Sequence, residues 1–215
     1  MNTKDTMALA LELAGFDEVP PDSQIYVPKE DVKRVLFGID AGAPGLLLAK
    51  QLGCDLAISH HPEGGSAAVR GHEVFHRHVE IMKAAGVPED VAREAVGEKF
   101  EALRLVDHKS NYDLAPSVAR LLGIGYMNIH CPLDEVGRRI VQEVVDGVMA
   151  TGRPTVRDLM DALSQLREFE LAETPYSSRW GTRRRGSRRL WWPTARSRTA
   201  AAAWRGRTSS TASTP

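Results

Sequence analysis

The sequence predicts an α/β fold in which a parallel-containing sheet is flanked by helices. Two short apolar runs, Val32–Ile39 and Leu56–Ser59, have the composition of strands, and Ala43–Leu52 between them has the apolar spacing of a helix. Strand, helix and strand within about 30 residues form a βαβ unit, in which the strands are parallel and the crossover is right-handed. We therefore expect a parallel sheet around this unit.

Helices and short apolar runs continue on both sides of the unit. Ile25–Val27 is a short extended segment, and Gly125–Ile129 is a further strand candidate. Glycine follows several of the predicted helices, as is common where a helix ends in a left-handed residue. The predicted helices are Thr6–Ala14, Val69–Ala85, Pro88 to about Asp107, Tyr112–Leu122, Glu135–Met149 and Thr155–Leu166, the last with Thr155 and Asp158 as a capping pair.

Length and composition bound the class of protein. The chain has 215 residues, 42% of them hydrophobic, which is enough for one domain or two small ones with a packed core. No apolar run approaches the roughly 20 residues that cross a bilayer, and the N-terminus lacks the apolar stretch of a signal peptide. Cys54 and Cys131 are too few for a disulfide framework. We expect a cytoplasmic protein with no membrane partner.

The last part of the chain differs from the rest in composition. Residues 175–215, the basic tail, hold ten arginines, all four tryptophans and no acidic residue, whereas acidic residues are in excess before it. An arm that binds nucleic acid and a disordered segment are two interpretations of such a tail. Out-of-frame translation of a GC-rich gene explains the Arg, Ala, Ser, Thr and Trp mixture better. We therefore expect an incomplete α/β domain over residues 1–170, a frameshifted tail, and no nucleic-acid partner.

Two adjacent histidines follow the strand predicted at Leu56–Ser59. His60 and His61 stand where the chain leaves the sheet, and Pro62 enforces that exit because proline cannot donate to a sheet ladder. The carboxyl ends of parallel strands are where open α/β sheets place their sites. Side chains alternate along an extended chain, so the two imidazoles are expected to point to opposite sides. Such a pair would serve two metal ions, or a metal ion and a substrate.

A second polar cluster follows the strand candidate Gly125–Ile129. His130 and Asp134 lie there, with Pro132 between them. If both strands belong to one parallel sheet, three imidazoles and a carboxylate emerge at the same edge. Nitrogen and oxygen ligands of this kind suit Zn, Fe, Mn or Co. The alternative is that these histidines cap strands and donate hydrogen bonds to loop carbonyls.

The stretch Ile58-Ser-His-His-Pro62, after Gly38-Ile-Asp40, resembles the type 2 GTP cyclohydrolase I homologue family, the Nif-three-like proteins. The stretch from Ile129 to Asp134 resembles a second motif of that family, and the likeness spans roughly residues 5 to 170. The resemblance implies an α/β fold, a toroidal homo-hexamer and a dinuclear centre of divalent metal ions. It puts His60, His61 and Asp134 on metal-ligand positions. It puts His130 beside the site, where a free imidazole can shuttle a proton.

One family feature is missing from this sequence. The family supplies further ligands from a C-terminal His-x-x-x-Glu motif, but no histidine follows His130 and the last glutamate is Glu173. We therefore expect the C-terminal half-domain to be absent and the centre to be weak, holding one ion in place of two. The resemblance implies a metal-dependent, cyclohydrolase-like hydrolase that attacks an imidazole-type C–N bond or a phosphoester of an unidentified small molecule. The alternative is a non-catalytic oligomeric or regulatory metal-binding protein.

Three other groups of residues are interpreted as structural. His72, His76 and Glu80 have a spacing that can hold zinc, but their charged surroundings favour an exposed helix face. Cys131 is interpreted as a small buried thiol. The segment from Asp107 to Lys109 is interpreted as the C-terminal cap of a helix.

Overall fold

The structure is a computed structural model that describes residues 1–172. These residues belong to two compact units, Met1–Glu135 and a second one that begins at Val136. The basic tail and the frameshift predicted for it lie outside the described residues. Within the described part, no helix is both long and apolar enough to cross a membrane.

Four short strands form one mixed sheet. They are β1 (Gln24–Val27), β2 (Val35–Gly38), β3 (Leu56–Ser59) and β4 (Gly125–Asn128), in the order β1-β4-β3-β2. β2, β3 and β4 are mutually parallel, and β1 is antiparallel to β4. The sheet confirms the predicted α/β class and the parallel βαβ unit.

Nine helices and one 3-10 turn complete the described residues. α7 crosses from the first unit into the second, and α8 and α9 belong to the second unit. The helices are α1 (Thr3–Ala14), α2 (Ala43–Gln51), α3 (Gly65–Arg70), α4 (Phe75–Ala84), α5 (Glu89–His108), α6 (Leu114–Leu122), α7 (Cys131–Met149), α8 (Val156–Leu163) and α9 (Arg167–Glu170), with the 3-10 turn at Gly71–Val74.

Local hydrogen bonds set several of the helix boundaries. The predicted capping pair of α8 is confirmed, because the Thr155 side chain accepts from the Asp158 amide and the Asp158 side chain accepts from the Thr155 amide. α1 begins three residues earlier than predicted, since Asn2 caps it in the same reciprocal way with Asp5. It ends at Gly15, which adopts the left-handed conformation with φ 64°.

The single helix predicted over Val69–Ala85 is wrong. α3 ends at Arg70, a 3-10 turn follows, and α4 begins at Phe75. The carboxylate of Asp107 explains the break, because it accepts from the His72 backbone amide at 2.8 Å and from His72 Nδ1 at 3.0 Å. That amide is therefore not available to continue the helix. His72 and His76 consequently do not share one helix face. The predicted C-terminal cap is confirmed, because α5 ends at His108 with Lys109 as its C-cap, and the Asp107 side chain in addition joins α5 to the 3-10 turn.

Apolar side chains cover both faces of the central strands. Ala57 and Tyr126 pack with α2 and α6 on one face, whereas Leu56 and Ile58 pack with α1 on the other. β3 and β4 are buried at every residue, as expected for interior strands of a parallel sheet.

Asn128, the last residue of β4, is a buried polar link between strands. It is fully buried, and its Oδ1 accepts from the Gln24 amide at 3.1 Å and from the Tyr26 hydroxyl at 2.6 Å. Its Nδ2 donates to the Asp22 carbonyl at 2.6 Å. One side chain therefore attaches β1 and the preceding turn to the end of β4.

Replacing Asn128 by alanine should lower the free energy of unfolding by about 2–4 kcal/mol, because it leaves several buried polar groups without partners. Urea unfolding followed by circular dichroism measures the change. Gln51→Ala, at an exposed residue that ends α2, should stay within about 0.5 kcal/mol of wild type. Equal stability of the Asn128 variant and wild type would show that the link does not support the fold.

Candidate metal centre

The pairing of β3 with β4 brings the two predicted clusters together. Ser59 lies opposite Asn128 in the parallel register, so His60 leaves the sheet beside the chain that continues to His130. The Ile129 amide extends the ladder by donating to the Ser59 carbonyl at 3.0 Å. Both clusters therefore emerge at one edge, as the sequence predicts.

Three imidazoles meet at this edge. One ligand atom from each of His60, His61 and His130 lies within 4.8 Å of the others. The ring of His60 is centred 5.1 Å from that of His61 and 4.7 Å from that of His130. Among the described residues, no other group of three histidine, cysteine or acidic side chains meets in this way.

The prediction that His60 and His61 point to opposite sides is wrong. Side chains alternate only while the chain stays in a strand, and β3 ends at Ser59. Beyond it the chain bends, although the amides of His60 and His61 still donate to the carbonyls of Gly38 and Ile39. Both rings therefore face one site.

Each imidazole is oriented through its Nδ1 atom. The Nδ1 atom of His60 lies 3.1 Å from the Ile129 carbonyl oxygen, and that of His61 lies 2.8 Å from Asp40 Oδ1. That of His130 lies 2.6 Å from Asp22 Oδ2. A carbonyl or carboxylate oxygen only accepts, so in each neutral ring Nδ1 carries the hydrogen and Nε2 keeps its lone pair.

Asp134 lies between two of these Nε2 atoms. Its Oδ1 is 3.3 Å from His60 Nε2, and its Oδ2 is 3.6 Å from His130 Nε2. The side chain belongs to the first turn of α7, which starts at Cys131 and not at the predicted Glu135. Pro132 is tolerated in this first turn because no intrahelical bond needs its missing N–H. An ion pair of 2.6 Å between the buried Glu135 and the partly exposed Arg77 holds the turn against α4.

The ligand atoms of this site suit a divalent cation. In the neutral rings, the Nε2 atoms of His60 and His130 are hydrogen-bond acceptors, and so are the Asp134 oxygens that face them. The lone pairs of such acceptors repel each other when no hydrogen-bond donor lies between them. A cation bound among them removes that repulsion. Imidazole nitrogen with carboxylate oxygen matches the ligands of zinc and of similar first-row metals.

Asp22, the buried partner of His130, was not predicted from the sequence. Asp22 is 1% exposed, and the adjacent Ser23 hydroxyl accepts from the His130 amide at 2.9 Å. The hydrogen bond to Asp22 raises the pKa of His130 above its usual range, and the charges of Asp22 and Asp134 add to this against the opposing effect of burial. The signal in the sequence was an aspartate in the turn that leads into β1, but only the antiparallel pairing of β1 with β4 brings it to the site.

Two other ionisable side chains near the site have raised pKa values. Burial raises the pKa of the Cys131 thiol to about 12, and the charge of Asp22 and its hydrogen bond to the thiol add to this. A thiol that stays protonated is a poor ligand, although Cys131 is half-buried and not the buried thiol that the sequence predicts. Burial and the charge of Asp40 also raise the pKa of Glu63.

A comparison with solved structures identifies the family. The chain is similar to a NIF3 superfamily protein from Sphaerobacter thermophilus whose crystal structure is known, at 46% sequence identity and a TM-score of 0.79. The chain belongs to the NIF3 superfamily. The match covers 81% of this NIF3 chain and 64% of the Sphaerobacter protein. No protein-family model matches the chain, and no curated protein matches it.

In metal-free protein, His130 should titrate above the ordinary histidine pKa of about 6.5, as followed by NMR of its ring protons. Because folding raises this pKa, the protonated ring stabilises the fold fully below about pH 6.5, and the contribution is lost as the pH rises through the folded pKa. The difference in free energy of unfolding between wild type and Asp22→Asn should therefore shrink as the pH rises through the folded pKa of His130. A His130 midpoint below the ordinary value would contradict this prediction.

Proposed function

We propose that this NIF3 chain binds a divalent metal ion at the edge of its sheet and acts as a metal-dependent hydrolase on a small molecule. The observation that carries the proposal is the meeting of three imidazoles at this edge, with the Asp134 carboxylate beside two of them. His60 and His61 would each provide Nε2, and Asp134 would provide a carboxylate oxygen. The predicted metals remain Zn, Fe, Mn or Co.

The residues around the site have separate tasks in this proposal. His60, His61 and Asp134 would hold a divalent cation, whose charge would acidify a water molecule and so supply hydroxide for attack on an imidazole-type C–N bond or a phosphoester. Asp40 holds the ring of His61 and the Ile129 carbonyl holds that of His60. These contacts fix which nitrogen faces the site before a metal ion binds. The side chains therefore lose less conformational freedom on binding.

Two roles are open to His130. The sequence predicts a proton shuttle, for which a titrating imidazole beside the site is suited. The position of its Nε2 near Asp134 also meets the requirement for a further nitrogen ligand. In either role His130 needs its Nδ1 atom held by Asp22.

The number of metal ions that we propose follows from the histidines available. Among the described residues His60, His61 and His130 form one cluster, and no histidine follows His130 in the sequence, so we propose one ion per chain. A homo-hexamer is a proposal taken from the family resemblance, and a cytoplasmic location is a proposal taken from the composition of the sequence. A non-catalytic, oligomeric metal-binding protein remains the alternative.

Metal analysis of the purified protein tests the binding step. Wild type should carry about one divalent ion per chain, and His61→Ala should lose it, because the substitution removes a ligand that nearby side chains do not replace. The matched control is His108→Ala, at an exposed histidine that ends α5 and is not part of the cluster. Absence of metal from wild type as well as from His61→Ala would refute the proposal.

Hydrolysis separates the enzyme from its non-catalytic alternative. The metal-loaded protein should release nitrophenol from p-nitrophenyl phosphate or open the imidazole ring of GTP, and a chelator should abolish the reaction. His61→Ala should lose activity by more than about 100-fold, whereas His108→Ala should keep it. Stoichiometric metal with no turnover of either substrate class would favour the alternative.

A further inference from the structure

We infer that His130 is itself a metal ligand, bound through Nε2, and that the buried Asp22 is the positioning residue that presents this atom. The inference rests on the proposed function, since it adds one ligand to the same site. It assigns His130 a different role from the proton shuttle that the sequence predicts.

The positions of the rings favour a ligand. His130 offers a ligand atom within 4.8 Å of those of His60 and His61, so it belongs to the same cluster of three histidines. Its Nε2 and that of His60 face different oxygens of one carboxylate, Asp134, at 3.6 and 3.3 Å. A cation held by His60 and Asp134 would therefore lie beside the ring of His130.

Asp22 fixes the ring in the orientation that binding requires. A buried carboxylate 2.6 Å from Nδ1 sets the tautomer, and the Ser23 hydroxyl holds the His130 backbone amide. The Asn128 side chain in turn holds the Asp22 carbonyl. This chain of contacts has the arrangement carboxylate, histidine, metal that orients ligands in many metal sites.

The assignment changes the expected ligand count. Three imidazoles and one carboxylate make four protein ligands, and because zinc sites can expand to five ligands, a position remains for the water that the proposed function needs. The site is then complete within His60 to Asp134 and needs no histidine later in the sequence. Geometry alone therefore allows a bound ion in the first unit.

Titration with cobalt(II), followed by its visible absorption, tests both residues. His130→Ala should weaken cobalt binding by more than about 100-fold, and Asp22→Asn by on the order of 10-fold, the lower end of what loss of a partner of a ligating histidine costs. In the His130→Ala background, Asp22→Asn should cause no further loss, because its effect passes through the ring.

Matched controls come from a second Asp–His pair and from the exposed His108 that ends α5. Asp107 accepts from His72 Nδ1 at 3.0 Å, and neither belongs to the histidine cluster. Asp107→Asn and His108→Ala should bind cobalt within about twofold of wild type, since neither touches the site. Circular dichroism of each variant confirms that it is folded.

The outcomes separate the inference from the proposed function. Loss of cobalt binding in His61→Ala with retention in His130→Ala would overturn the inference and leave the metal centre standing. No binding by wild type would overturn both. Should a variant not fold, ¹⁵N NMR of wild type decides, because zinc should shift His130 Nε2 while Nδ1 keeps its hydrogen. An Nε2 resonance that zinc leaves unchanged would overturn the inference.

Discussion

The parallel register of β3 and β4 is the constraint on which the site depends. Ser59 lies opposite Asn128, so the chain leaves both strands at the same level and the residues that follow meet. A slip of one residue would invert the faces of β4, moving Tyr126 and Met127 out of their clusters. Burial of both strands on two faces therefore fixes the register, and the register fixes the distance between His60 and His130. The core and the candidate metal centre are set by the same apolar packing.

A buried polar network joins this core to the site. Asn128 ends β4 and holds the carbonyl of Asp22, whose carboxylate holds the ring of His130. Such a network is costly when a member is missing, because an unpaired polar group in a low-dielectric interior loses its hydration without compensation. The same cost makes the network specific, since only one arrangement satisfies all its members. The orientation of His130 is thereby coupled to the placement of β1, far away in sequence.

The sequence predicts the elements that depend on local pattern and misses those that depend on distant partners. β3 and the two histidines after it follow from an apolar run and a proline, and the parallel sheet follows from the βαβ order. The shared orientation of His60 and His61 was missed because strand alternation was extended past Ser59, where the strand ends. The break at Gly71–Val74 was missed because it depends on Asp107, 35 positions from His72. Asp22 was missed for the same reason, because its importance appears only once β1 pairs with β4.

A crystal structure of the full chain soaked in zinc, with anomalous scattering recorded at the zinc edge, tests the central claim most directly. The account predicts one anomalous peak at the carboxyl ends of β3 and β4. The Nε2 atoms of His60, His61 and His130 and an oxygen of Asp134 should each lie about 2.0–2.2 Å from that peak. A peak too far from His130 Nε2 for coordination would mean that fewer residues bind the ion. An absence of anomalous density among these side chains would contradict the account.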